Sequence, residues 1–429
     1  MKNLLQKLSA QFTGNSLRKN STLLILSQAV STVAGFLFWI ICAHAFRPAQ
    51  IGFATSLTSY AGLIATFVSF GLANTVIRFL PTSKRKGGLL AGSLLAVLAA
   101  SVAGGLIGLG GLHVFVPRLN FVSSSVSLSL LLILLVIGTN LSAIMDSALL
   151  AFRKANLVLG KSALVSALRL ILPLFLVAYG LGGIMTVAAV VLWAGIAYSL
   201  VVVVRKLLPG ESYKPTLADI TAHRSYALSN YFGGMLGMLP GALTPIIILS
   251  KLGPASAAYY YMPVQVATFL GILASSVSQA LISETSQTDD VAAHRAHFQA
   301  ALRHLYHLLV PAAVFLIAVG WVVLRVYGPG YAANGFGPLV VLALASFFTG
   351  INWLGDTWLN IQKRHAAFMY MNAFNALAVV AGVYLLADKG LIYAALGALL
   401  GQAVSAAVYG AIFARGQLLS FVSPRKTRS

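Results

Sequence analysis

The groups in this sequence able to do chemistry are few charged or polar residues set inside apolar runs: Arg169, Asp146, Asp356, and the pair Asn74 and Arg78. A charge at the centre of a membrane-spanning helix costs about 2.5–3.5 kcal/mol on insertion scales, so each needs a partner or a task. Arg169 lies eight residues beyond Lys161, about 12 Å deeper along a helix at ~1.5 Å per residue. Such an arginine binds a ligand in a polar cavity, snorkels toward the interface, or bridges to Asp146. Asn74 and Arg78 stand one helical turn apart on one face, either as ligand contacts or, the reading their position favours, with Arg78 as a topological anchor. Asp146 and Asp356 each precede a basic residue, Arg153 and Lys363, by seven positions, so each pair shares a helix face. They are candidates for carrying coupling protons or, the favoured reading, for a lock to neighbouring cations at an inner gate, where pairing would change between outward-open and inward-open states.

Other constellations point to packing or wetting. His294, His297, His304 and His307 share one side of an amphipathic segment, but no carboxylate or cysteine completes a metal set, so a wetted interfacial face is expected. The tryptophans and the run Tyr259-Tyr260-Tyr261 fit interfacial belts, a few of them able to stack on a ligand. Cys42 is the single cysteine, which excludes an intrachain disulfide and cysteine-type metal spacing. No cofactor is called for.

The elements that must position these groups follow from composition. The 429 residues are 59% hydrophobic and 9% charged, against roughly 25% charged in soluble domains. The net charge of +21 comes in short bursts between apolar runs, such as Lys84 to Lys86 and Arg205-Lys206, which sets topology and argues against nucleic acid as a partner. Runs long enough to span fall near 21–46, 51–77, 88–112, 126–151, 162–180, 182–204, 226–250, 257–281, 308–326, 337–360, 366–386 and 390–413, predicting an all-α integral membrane protein of about twelve helices. The first run is too long for a signal-peptide core and is expected to stay as the first membrane helix. With a cytoplasmic N-terminus, the outside segments collect only Arg47, Arg118, Lys251, Arg325 and Lys389, so both termini are expected inside.

Two halves of six helices are expected, 1–206 and 226–429, joined by a cytoplasmic linker at 207–225 holding Pro209, Gly210 and Pro215. A shift of 206 residues equates the stretch from Phe46 to Phe53 with Leu252 to Tyr259, and a shift of 210 equates Asp146-Ser147-Ala148-Leu149 with Asp356-Thr357-Trp358-Leu359. An even helix number per half makes these parallel repeats, an architecture that places a substrate path between lobes and favours transport. A second inside connection, 283–307, reads as a turn at Asp289-Asp290 followed by an amphipathic helix.

The first eighty residues resemble the oligosaccharide and polysaccharide flippases of the superfamily that also holds multidrug and toxin extrusion proteins. The likeness is carried by Gly35-Phe36 with Phe38-Trp39, Pro48 with Gly52, and Phe70-Gly71-Leu72 leading to Arg78-Phe79-Leu80-Pro81, then by Pro254, the amphipathic segment before Pro311 and the six-plus-six order. It implies a protein of the bacterial inner membrane that moves a polyprenyl-diphosphate-linked oligosaccharide to the outer leaflet. Its partners would be that substrate, membrane lipid and the polymerase and export proteins of polysaccharide synthesis. For such a substrate Arg169 is the candidate contact to diphosphate or sugar. The alternative is a cation-coupled multidrug exporter, a branch expected to keep acids in its lobe cores, whereas helices one, two, seven and eight here hold only Glu284, at an end. A membrane glycosyltransferase would need general acids or bases at the surface, and the outside loops hold one acid, Asp388.

Overall fold

A computed structural model describes residues 16–215, 224–285 and 291–414. The basic N-terminal residues up to 15, the middle of the expected linker at 216–223, the expected turn at Asp289-Asp290 and the C-terminal basic cluster lie outside the described residues.

Apolar runs in hydrocarbon must satisfy every backbone N–H and C=O internally, which selects helix. Thirteen α-helices result among the described residues. The first seven are α1 (Ser16–Ala45), α2 (Pro48–Val68), α3 (Leu72–Phe79), α4 (Lys86–Phe115), α5 (Val126–Ala151), α6 (Ala155–Leu176) and α7 (Gly180–Val202). The other six are α8 (Arg224–Leu252), α9 (Pro254–Thr285), α10 (Val291–Tyr327), α11 (Pro329–Ile361), α12 (His365–Leu386) and α13 (Leu391–Ala414). All but α3 belong to runs long and apolar enough to cross a membrane. One such run, Ala155–Leu207, has 53 residues, about 80 Å of helix against a hydrocarbon core of roughly 30 Å. It folds back at a 3₁₀ turn over Val177–Tyr179, with Gly180 at φ 53°, so that α6 and α7 pack as a hairpin. With that run counted as two helices, twelve helices long enough to cross a membrane stand among the described residues, six in each half.

By packing, the chain divides into a first unit ending at Tyr231 and a second beginning at Phe232. The halves repeat in backbone detail. α5 ends at Ala151 and α11 at Ile361, and each is followed by a non-glycine residue in the left-handed region, Arg153 at φ 53° and Lys363 at φ 56°. Next, α6 and α12 start 210 residues apart, and each ends before a positive-φ glycine, Gly180 or Gly390. A proline opens the second helix of each half, Pro48 and Pro254.

Two spans differ from the sequence reading. The run drawn as one helix over 51–77 breaks after Val68, where Phe70 (φ 48°) and Gly71 (φ 67°) turn left-handed, and resumes as the short α3. The 21 residues of α2 already reach about 30 Å, so the remainder is free to turn aside. α3 then buries Leu72, Thr75 and Val76 in a core with Leu89 and Leu90 of α4 and Ile144, Met145 and Leu149 of α5. The amphipathic segment before Pro311, expected to stand apart from the ninth span, continues into it as the 37-residue α10. Its described side chains include no glycine or proline before Pro311, and Phe298 and Leu305 pack it against Trp358, Phe413 and Leu354.

Outward faces carry large apolar side chains, among them Ile107, Phe175, Val322 and Leu385, as lipid contact demands. Helix association in lipid relies on close approach. In α12 and α13, Gly382 and Gly397 bring the two backbones into contact, and a Cβ on either would overlap the other's carbonyl.

Candidate functional site

In the first unit the intramembrane charges gather on the α5–α6 hairpin. Lys161 Nζ donates to Asp146 Oδ1 at 2.5 Å and to Ser142 Oγ at 3.0 Å, and Ser142 Oγ lies 3.4 Å from Asp146 Oδ2. Side-chain exposure is 10% for Lys161 and 46% for Asp146, so the cation is the buried member. Gly195 of α7 makes room for the lysine stem: a Cβ there would come within 2.9 Å of Lys161 Cε. The cation on Asp146 is therefore Lys161, rather than Arg153 or Arg169 as considered from sequence. Arg153 is exposed in the turn.

Arg169 lies fourteen residues into α6, about 21 Å along its axis. It is half-buried, and its guanidinium carbon stands 5.9 Å from the ring centroid of Phe38, itself buried on α1. A Cβ at Gly35 would be 3.5 Å from Arg169 Nη1, so the arginine runs along the α1 backbone. Closer to the start of α6, Ser162 and Ser27 share a hydrogen bond of 2.7 Å between the same two helices. An aromatic face supports a guanidinium in a poorly hydrated place.

Asn74 and Arg78 do share a face, the exposed face of α3, but that helix packs on α4 and α5 at the end of the unit where α6 begins. The structure thus sets them about four helical turns from the level of Arg169.

In the second unit Asp356 of α11 accepts from Tyr409 Oη of α13 at 2.5 Å and from Asn372 Nδ2 of α12 at 2.9 Å. Asn352, one turn earlier, donates to Gln402 Oε1 at 2.6 Å. Lys363, the expected partner, is exposed in its left-handed turn. At the other end of this unit Lys251 pairs with Asp388 at 2.5 Å and sits 4.1 Å from the Tyr384 ring centroid. Among the histidines, His297 Nδ1 stands 3.3 Å from Glu284 Oε2 and His294 Nε2 lies 3.1 Å from Thr285 O. Among the described residues no group of three His, Cys, Asp or Glu could hold a metal ion.

Sequence reasoning missed Lys161, Phe38, Asn372 and Tyr409 as site members. For Lys161 the signal was present: 146 and 161 lie equally far from the turn at 153-154, and residues so placed in a helical hairpin meet at one level. Asn372 stands almost as symmetrically opposite Asp356. Phe38 and Tyr409 come from helices distant in sequence and have no such signature.

No family model matches the chain, and no curated protein does. Solved structures do. An inward-facing conformation of a multidrug resistance MATE family transporter of the MOP superfamily superposes with a TM-score of 0.70 at 13% identity, over 93% of this chain and 99% of that one. Lipid II flippase MurJ, in an inward closed conformation, gives 0.68 at 15% identity over 92% and 87%. An outward-facing conformation of a MATE family transporter gives 0.62 at 13% identity over 94% and 96%. The chain has the fold of these membrane transporters.

Proposed function

We propose that this protein is a flippase that carries a polyprenyl-diphosphate-linked oligosaccharide from the cytoplasmic to the outer leaflet of a bacterial inner membrane, for surface or exported polysaccharide, by alternating access of its two lobes. The observation that carries this reading is Arg169, a cation held within a spanning helix on the face of Phe38. Charge inside the bilayer is retained for a task, and a guanidinium fork suits a diphosphate. The fold shared with a lipid II flippase supports a lipid-linked substrate. Both termini face the cytoplasm in this reading, following the basic bursts at one end of the helices.

Deleting the gene is expected to remove surface polymer while the lipid-linked intermediate accumulates in the inner leaflet. Arg169→Ala, at normal membrane level, is expected to lower export about tenfold or more, with Arg169→Lys intermediate. Wild-type export by Arg169→Ala would sink the assignment.

A second reading, a cation-coupled multidrug exporter, is favoured by Asp356, a carboxylate in a spanning helix whose hydrogen-bond donors, Tyr409 and Asn372, are neutral. The fold shared with multidrug transporters supports it equally. Normal surface glycan with new drug sensitivity after deletion would select it.

A further inference from the structure

We propose that the first unit carries a binding site for an anionic phospholipid, built where the broken second span meets the start of α4. This site does not depend on the transport reading. Its cationic half comes from two segments far apart in sequence. Arg78 ends the exposed face of α3. The chain then turns tightly, Ser83 N donating to Phe79 O at 2.9 Å and Arg85 N to Ser83 Oγ at 3.2 Å, so that exposed Lys84 and Arg85 follow the end of α3 directly and lead into Lys86.

The second segment is the beginning of the inter-lobe connection. Leu208 is 3% exposed, Tyr213 Oη donates to Leu208 O at 3.1 Å, and the strand of chain between them lies on the first turn of α4. A Cβ on Gly87 would meet Ser212 O at 2.6 Å, so the backbones touch there. That contact brings Lys214, two residues on, beside the run Lys84 to Lys86. Five cations thus belong to the end of α3, the turn after it and the segment touching Gly87, with Glu211 as the acid accompanying them.

At the break Phe67 is 47% exposed and Phe70 45%, with the Tyr231 ring of α8 6.2 Å from that of Phe70 and its hydroxyl donating to Phe67 O at 2.6 Å, and Ile77, next to Arg78, is 39% exposed. Cations beside exposed apolar side chains, at the level where spanning helices end, match a phosphate headgroup with its acyl chain alongside. A soluble polyanion or nucleic acid would leave the apolar half unused.

The test is native mass spectrometry of the full-length protein in mild detergent, titrated with phosphatidylglycerol or phosphatidylcholine. Phosphatidylglycerol is expected to be retained about tenfold better, and a Lys84→Gln/Arg85→Gln variant to lose about tenfold of that affinity. Arg325→Gln, in the last turn of α10, removes one charge elsewhere and is expected to leave retention unchanged. Equal retention of both lipids, or undiminished binding by the double variant, overturns the proposal. Displacement by water-soluble glycerol phosphate at matched concentration would overturn it in favour of a plain anion site, and displacement by a polyprenyl diphosphate in favour of a substrate contact.

Discussion

Asp146 and Asp356 occupy equivalent positions 210 residues apart, on the fourth spanning helix of their units, yet the two carboxylates are held by opposite means. The first faces a buried lysine and the second a phenol and an amide. The surrounding hairpins differ accordingly. Lys161 is packed between α6 and α7 against Gly195, whereas α12 and α13 touch backbone to backbone at Gly382 and Gly397. The difference teaches that a repeat preserves where a charge is placed more strictly than how it is compensated. One unit compensates its carboxylate with a tethered cation, and the other with neutral hydrogen-bond donors.

The largest expected effect comes from removing the anion of the first unit. Asp146→Ala strands Lys161 at 10% exposure and is expected to destabilise by about 3 kcal/mol, while Lys161→Met leaves a half-hydrated carboxylate and costs about 1 kcal/mol. Unfolding titrations in detergent that gave equal losses would break the asymmetry. Gly397→Ala forces the second hairpin apart and is expected to cost about 2 kcal/mol by the same assay; a silent substitution would show that backbone contact is dispensable there. Tyr409→Phe removes a donor to the Asp356 carboxyl and is expected to cost about 1.5 kcal/mol. Asp356→Asn keeps an acceptor for Tyr409 and is expected to change stability by less than about 0.5 kcal/mol, so a loss as large as that of Asp146→Ala would erase the contrast between units.

The crossings were legible because lipid as solvent leaves the chain one choice, and length with hydrophobicity then marks each helix. Helix ends were partly legible: Pro48 and Pro254 announced two starts, but Ser69-Phe70-Gly71 sits in an unbroken apolar run, and the break depends on α3 finding a core against Leu89 and Met145. The reverse error arose at 291–307, where polarity suggested a separate segment although nothing in it interrupts a helix. Among site residues, Asp146, Asp356 and Arg169 stood out because charge in an apolar run is visible. Their partners did not: matching seven-residue spacings drew attention to Arg153 and Lys363, which the turns carry away, while Tyr409 and Phe38 reach their sites only through tertiary packing.

The three-residue turns at 152–154 and 362–364 also bear on how the chain is made. With so little slack, the fourth and fifth helices of a unit are expected to insert as one hairpin, which would let Asp146 and Lys161 neutralise each other as they leave water.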